Sequence, residues 1–300
     1  MIKDLSREQV RSLWPVRPAD ANKGSFGRVL VVAGSRTMCG AGFLCAKSAL
    51  LAGAGLVFWA LPASMQSVFA AALPEVITLP LPETDDGFLS AEGFDALQTF
   101  CALKKPSLAV IGPGMGESPL LGRVLTELDL PQIVDADALN FLAVQDGTCW
   151  PHAKPVIYTP HPGEMARLLK TDVAREESTR LEQVQELARQ TGGVSLLKGR
   201  GTLICAAEND ELLVWQNTTG GPALAKAGSG DVLSGVIAGL WAQLGSQNGF
   251  NASSALSAAL CGVYAHGQAG DFAAKTYTDY GVLASDTAEY IPHAIKEILK

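Results

Sequence analysis

The chain has 300 residues, 48% of them hydrophobic and 18% charged, and carries a formal net charge of −7. That length buries a substantial core, as one large domain or two ordinary ones, without disulfide or metal staples. The acidic balance and the lack of any basic cluster exclude nucleic acid or an anionic membrane surface as the partner. Six cysteines (Cys39, Cys45, Cys101, Cys149, Cys205 and Cys261) are scattered with no C-x-x-C pair. They read as small buried residues of a reducing compartment. The polar start, MIKDLSREQV, has no apolar signal core. The most apolar stretch, Gly40 to Pro62, is broken by Lys47 and by glycines and does not suit a membrane span. A cytoplasmic enzyme is expected.

Short apolar runs alternate with alanine-rich stretches along the chain. Strands are expected over Arg28 to Ala33, Leu56 to Leu61, Glu75 to Leu79, Ser107 to Ile111, Gln132 to Val134, Val156 to Tyr158 and Val194 to Leu197. A helix is expected over Ala41 to Ala54. Thr202 to Cys205 and Leu212 to Trp215, joined through Glu208-Asn209-Asp210, read as an antiparallel hairpin. The remainder is helical: Asp231 to Leu244, Ala252 to Gly270 and Ala284 to Leu299. Runs apolar on both faces and separated by helices predict a mostly parallel sheet covered on both sides, a three-layer α/β/α architecture. No linker or repeat divides the chain, so one domain over 1–300 is expected, with 1–20 as an N-terminal extension. In such sheets the ligand lies beyond the carboxyl ends of the strands.

The polar and glycine-rich turns all fall at those ends. Gly228-Ser229-Gly230-Asp231 stands where a loop becomes an apolar helical segment. Glycines allow close approach of a ligand, and a helix start offers unpaired N–H groups to an anion. A carboxylate beside bound phosphate reads as a base that takes a proton from a substrate hydroxyl, with simple N-capping as the competing role. Lys198-Gly199-Arg200-Gly201-Thr202 supplies a cation, glycines and a hydroxyl suited to a nucleotide phosphate or ribose. Asn217 to Pro222 and Lys226 would close over that phosphate. In Thr159-Pro160-His161-Pro162-Gly163-Glu164, two prolines clamp the histidine at a strand end as a ligand contact, and Pro162 and Glu164 suit a first helical turn. In Asp135-Ala136-Asp137 one carboxylate can orient a ligand or hold Mg²⁺ while Asp137 caps the next helix. Ile111 to Gly116 lacks the G-x-G-x-x-G spacing and reads as a loop whose N–H groups face a ligand. Gly40-Ala41-Gly42 serves either a ligand or packing, whereas Gly53-Ala54-Gly55 reads as packing.

Taken in order, KGSFGRVLVVAGS, IGPGMG, VDADALN, TPHPGEMARLL, KGRGT and NTTGGPALAKAGSGDVLSGVIAGLWAQ resemble the ADP-dependent NAD(P)H-hydrate dehydratases, a branch of the ribokinase-like superfamily, over about residues 20 to 295. The resemblance implies a stand-alone dehydratase (a hydro-lyase) that repairs the S epimer of hydrated NADH or NADPH and converts ADP, or ATP as donor, with release of AMP and phosphate. It implies Asp231 as the base that frees the hydrate's hydroxyl for attack on the β-phosphoryl group, with Gly228 and Gly230 donating N–H groups to it. It implies AMP contacts from Lys198, Gly199, Arg200, Gly201, Thr202 and Gly230. Ala41, Gly114, Gly116, His161 and Asp231 would then contact the hydrate. Mg²⁺ and a homotetramer are further implications, with the metal ligands unspecified. Two departures are Asn22, where the family often has histidine, and AGSGD in place of GGxGD. The competing readings are an ATP-dependent kinase of a vitamin alcohol, on the same superfamily fold, and a non-catalytic nucleotide-binding protein.

Overall fold

In the computed structural model, which describes residues 2–145, 150–151, 155–208 and 211–300, ten strands form one sheet. They are β1 (Ile2–Leu5), β2 (Arg28–Val32), β3 (Leu56–Pro62), β4 (Ile77–Leu81), β5 (Leu108–Ile111), β6 (Gln132–Val134), β7 (Val156–Tyr158), β8 (Val194–Leu197), β9 (Leu203–Glu208) and β10 (Glu211–Asn217). The spatial order is β1-β10-β9-β8-β7-β6-β5-β2-β3-β4. Every neighbouring pair is parallel except β8–β9 and β9–β10. The hairpin turn expected at Glu208-Asn209-Asp210 falls partly outside the described residues.

Alternation along the strands explains the layers. In β2, Val29 and Val31 point into one buried cluster and Leu30 and Val32 into another. A strand with both faces covered must be apolar throughout, which is why RVLVV reads as a continuous run. One face carries α1 (Arg7–Leu13), α2 (Cys39–Leu51), α9 (Ser229–Asn248), α10 (Ala252–Gly281) and α11 (Ala284–Ile298), whose buried residues share the cluster of Val29 and Val31. The short α3 (Gln66–Ala72) lends Phe69 to the same cluster. The other face carries α4 (Phe94–Lys104), α5 (Leu121–Glu127), α6 (Asp137–Val144), α7 (Pro162–Leu169) and α8 (Glu177–Thr191). Trp59 is fully buried on the α2 side and gives its Nε1–H to the Ala33 carbonyl at 3.0 Å, so the ring adds its apolar area without stranding a donor. α9 and α2 pack at backbone distance: a Cβ on Gly235 would lie 2.2 Å from the Cys45 carbonyl oxygen.

Several boundaries differ from expectation. β4 begins at Ile77 and α2 ends at Leu51. α9 begins at Ser229, which puts Asp231 inside the first turn rather than at its edge. α10 continues past Gly270 to Gly281, with Thr278 out of helical geometry at φ 63° and ψ 164°. Residues 2–5 add β1, paired parallel to β10. Two of its four residues, Lys3 and Asp4, are polar and exposed, because it is an edge strand with a single buried residue, Leu5. Gly53-Ala54-Gly55 serves packing as expected, since a Cβ on Gly55 would meet the Lys23 carbonyl oxygen at 1.8 Å. Gly42 does the same against the Trp59 indole, while Gly40 faces open space. Asn22 caps the turn at Lys23–Phe26 by accepting from Gly24 N–H.

Parallel order sets the carboxyl ends of β2, β5, β6, β7 and β8 along one edge. Backbone bonds lace the segments that leave it: Gly34 N–H to Pro113, Asp135 N–H to Ile111, Thr159 N–H to Val134 and Lys198 N–H to Pro160. Among the described residues no helix is long and apolar enough to cross a membrane.

Candidate functional site

A cavity of about 890 Å³ opens over that edge. Its wall includes Asp135 just after β6, His161 and Glu164 from the start of α7, Lys198 to Arg200 and Thr202 from the β8–β9 turn, much of the 217–226 segment, and Ser229 to Asp231 from α9. Four separate strand ends and one helix start are needed to build it. This juxtaposition follows from the crossover order of the sheet.

Asp231 stands in the first turn of α9, just before the buried run from Val232 to Gly245. The N-cap before it is Gly228, at φ 88°, a left-handed conformation that a side-chain-bearing residue adopts only at a cost. The N-cap therefore offers no side-chain oxygen, and first-turn N–H groups remain for an external acceptor. Burial, reinforced by the nearby Asp135 carboxylate, raises the Asp231 carboxyl from the ordinary 3.8 to about 7.

Lys198 reaches Asp135 Oδ1 at 2.7 Å and Glu164 Oε2 at 3.8 Å. Burial pulls its ammonium down, but Asp135 and Glu164 outweigh that and hold it above the usual lysine range. Asp135 is itself pinned: Ser234 Oγ donates to its Oδ2 at 2.6 Å, and Ala136 N–H to its Oδ1 at 2.9 Å. Ala136 takes φ 50° and ψ −117°, so backbone strain sits at the cavity wall. Glu164 is raised by burial against the pull of Lys198.

His161 is the N-cap of α7. Its Nδ1 accepts from the N–H groups of Gly163 and Glu164 at 3.0 and 3.2 Å, and Glu164 Oε2 accepts from His161 N–H at 2.7 Å. An accepting Nδ1 leaves the proton on Nε2, which lies 3.3 Å from Glu164 Oε1. Burial, then Lys198 and Arg167, lowers the imidazole pKa and keeps it neutral for the cap.

Thr202 Oγ1 donates to the Gly199 carbonyl, which tightens the β8–β9 turn. Arg180 from α8 clamps the same turn by donating to the carbonyls of Arg200 and Gly201 at 3.0 and 3.3 Å. Gly201 opens onto a smaller adjoining cavity of about 460 Å³.

Of the residues expected on the hydrate side, His161 and Asp231 line this cavity, whereas Ala41, Gly114 and Gly116 do not. A Cβ on Gly114 would lie 2.9 Å from Ala41 Cβ, so these two are in contact. Three N–H groups of the Gly112 to Gly116 loop are bonded within the protein: those of Gly112, Met115 and Gly116 go to Val32 O, Gly112 O and Asp137 Oδ2. Asp137, expected to cap α6, does not do so. It sits inside the first turn and spends its carboxylate on Gly116 N–H at 2.7 Å, tying two strand ends together.

Sequence reasoning missed Ser234, Arg180 and His266. His266, on α10, lines the cavity with its Nε2 3.3 Å from Ser229 Oγ. A buried serine or histidine within an otherwise apolar helix is the signal that could have found two of them. Arg180 sits on a charge-rich helix and leaves no such mark. Among the described residues, no group of three His, Cys, Asp or Glu side chains could hold a metal ion. The carboxylates on the cavity wall are Asp135, Glu164 and Asp231.

The NAD(P)H-hydrate dehydratase family model matches residues 29–293. The chain is 41% identical over 298 residues to a bifunctional NAD(P)H-hydrate repair enzyme of Moorella thermoacetica, covering 98% of this chain and 54% of that protein. It is 34% identical over 288 residues to the corresponding enzyme of Escherichia coli, covering 95% and 50%. It thus spans about half the length of these relatives. Among solved structures, an ADP/ATP-dependent NAD(P)H-hydrate dehydratase of Bacillus subtilis, crystallised with ATP and Mg²⁺, superposes with a TM-score of 0.79 at 28% identity over 99% of each chain. A ribokinase-like superfamily protein of Enterococcus faecalis gives a TM-score of 0.79 at 26% identity, covering 99% of this chain and 96% of that one. The motifs at the sheet edge, the ribokinase-like three-layer fold and the match across most of the sequence agree, and the chain belongs to the NAD(P)H-hydrate dehydratase family.

Proposed function

We propose that this chain dehydrates the S epimer of hydrated NADH or NADPH, using ADP or ATP as phosphoryl donor. The observation that carries the reading is Asp231: a carboxyl raised to about 7, in the first turn of a helix, in one cavity with the Lys198 to Thr202 turn. A base of that strength is matched to proton transfer near neutral pH. A helix start and a lysine beside it suit the phosphoryl group.

In this mechanism Asp231 takes the proton from the hydrate's C6 hydroxyl. The freed oxygen attacks the β-phosphorus of ADP in line, and the bond from that phosphorus to the bridging oxygen breaks. AMP leaves and a phosphate ester remains on the ring. The ester then departs as inorganic phosphate with loss of the adjacent ring proton, which restores the double bond. Lys198 holds the phosphate oxygens, and first-turn N–H groups at Gly230 and Asp231 face the charge that develops on them. Lys198 and the turn after it grip the AMP part. Mg²⁺, if taken up, would be held by Asp135 or Asp231 and would offset phosphate charge.

The test uses hydrated NADH with each nucleotide, followed by recovery of reduced-nicotinamide absorbance and by release of AMP and phosphate. Recovery that depends on ADP or ATP supports the reading, and its absence in a folded, nucleotide-binding preparation overturns it. Accumulation of a stable phosphate ester on a vitamin alcohol would point to the kinase alternative.

A further inference from the structure

The segment from Asn217 to Ser229, which walls one side of the cavity, is held to Leu5 of β1 through Thr218 Oγ1 at 2.8 Å and otherwise makes most of its side-chain ties to α10. Thr219 Oγ1 donates to the Tyr264 carbonyl at 2.8 Å, and Gly220 N–H to Asp271 Oδ2 at 2.9 Å. Lys226 Nζ donates to the Tyr280 carbonyl at 2.9 Å. The last tie is the 3.3 Å contact between Ser229 Oγ and His266 Nε2, and it alone reaches the helix start at Gly228 to Asp231.

His266 is buried on α10, flanked by Ala265 and Gly267. A buried imidazole costs desolvation that an apolar residue there would not, so its polar contact calls for a reason. Ser229 is the first residue of α9, and serine hydroxyls near a helix start turn readily onto its free N–H groups. A hydroxyl held by α10 cannot do so. Burial keeps the imidazole neutral, at about 4, so it brings no charge to the phosphate site.

We propose that His266 is a positioning residue: by holding Ser229 Oγ on α10 it fixes the Gly228 to Asp231 turn and keeps the α9 N–H groups open for the nucleotide phosphate. This rests on the nucleotide-dependent reading above.

Calorimetric ADP binding and steady-state kcat and KM on the full chain test it, with His266→Leu, His266→Gln, Ser229→Ala and the His266→Leu/Ser229→Ala double variant. His266→Leu is expected to weaken ADP binding about tenfold, the size of one hydrogen bond's net contribution, and to lower kcat. His266→Gln, whose amide can reach Ser229, is expected to restore most of both. In the Ser229→Ala background, His266→Leu is expected to add nothing further. Wild-type ADP affinity in folded His266→Leu, or full additivity in the double variant, overturns the proposal. Should His266→Leu not fold, wild-type ADP affinity in a folded His266→Ala variant, which equally frees the Ser229 hydroxyl, overturns it. A wild type that binds ADP yet leaves hydrated NADH untouched refutes the dehydratase reading while the ADP-binding comparison still decides the role of His266.

Discussion

Asp135 Oδ1 and Lys198 Nζ lie 2.7 Å apart across 63 residues of sequence, and both act on Asp231. Asp135 raises the Asp231 carboxyl and Lys198 lowers it. Asp135→Asn removes the raising charge and leaves Lys198 less compensated, and both changes push Asp231 down. The acid limb of the pH profile of kcat/KM is expected to move to lower pH by about one unit. A limb that stays in place, measured with saturating nucleotide, would show that Asp231 does not sense Asp135.

Asp231→Asn separates catalysis from stability. Turnover is expected to fall at least about a hundredfold, the range for loss of a general base. The fold is expected to gain. A carboxyl raised in the native state favours folding below its unfolded value of 3.8, and that benefit is lost as pH rises through about 7. Asparagine mimics the protonated form at all pH values. Its thermal midpoint is therefore expected to exceed that of the wild type at pH about 8, with the gap narrowing toward pH about 5. A variant no more stable than wild type at the higher pH would contradict the buried, raised carboxyl.

The parallel sheet was legible because both-face burial leaves an apolar run, as in Arg28 to Val32 and Leu108 to Ile111. The convergence of His161 and Lys198 followed from the strand-end rule, and Asp231 joined them as a glycine-led helix start suited to phosphate. What periodicity could not carry was the choice of partner. Asp137 has the local pattern of a cap, yet a tertiary donor, Gly116 N–H, outcompetes the local ones. β1 was invisible because an edge strand of four residues with one buried side chain has no period to detect. His161 was placed at the helix start from Pro162 and Glu164, but a histidine accepting two backbone N–H groups as the cap is not a pattern composition suggests.

That cap gives a stability prediction of its own. His161→Ala removes the acceptor for the N–H groups of Gly163 and Glu164, and about 1 kcal/mol of stability is expected to go with it. The effect is pH-dependent. With the native imidazole pKa lowered from 6.5, the cap's stabilisation is complete above 6.5 and is lost as pH falls through the lower native value. Denaturant unfolding of both proteins at pH about 7.5 and about 5 checks this, since the difference should shrink on acidification. His161→Asn, an accepted N-cap residue, is expected to recover most of the loss while still altering KM for the hydrate.

Arg180 offers a test of the nucleotide side that leaves the reacting atoms alone. Its guanidinium, lowered by burial, bridges the carbonyls of Arg200 and Gly201 and so fixes the turn between Lys198 and Thr202. Without the bridge the turn samples more conformations, and that ordering must be recovered on binding. Arg180→Ala is expected to raise KM for ADP about tenfold, with kcat at saturation within about twofold, because a loop ordered by bound ligand presents Lys198 in the same place. Arg180→Lys is expected to behave more like alanine than like arginine, since one ammonium does not reproduce a fork spanning two carbonyls. Steady-state kinetics over both nucleotide and hydrate separate the outcomes. A fall in kcat with KM for ADP unchanged would mean that the turn acts on the phosphoryl group during transfer and not on nucleotide capture.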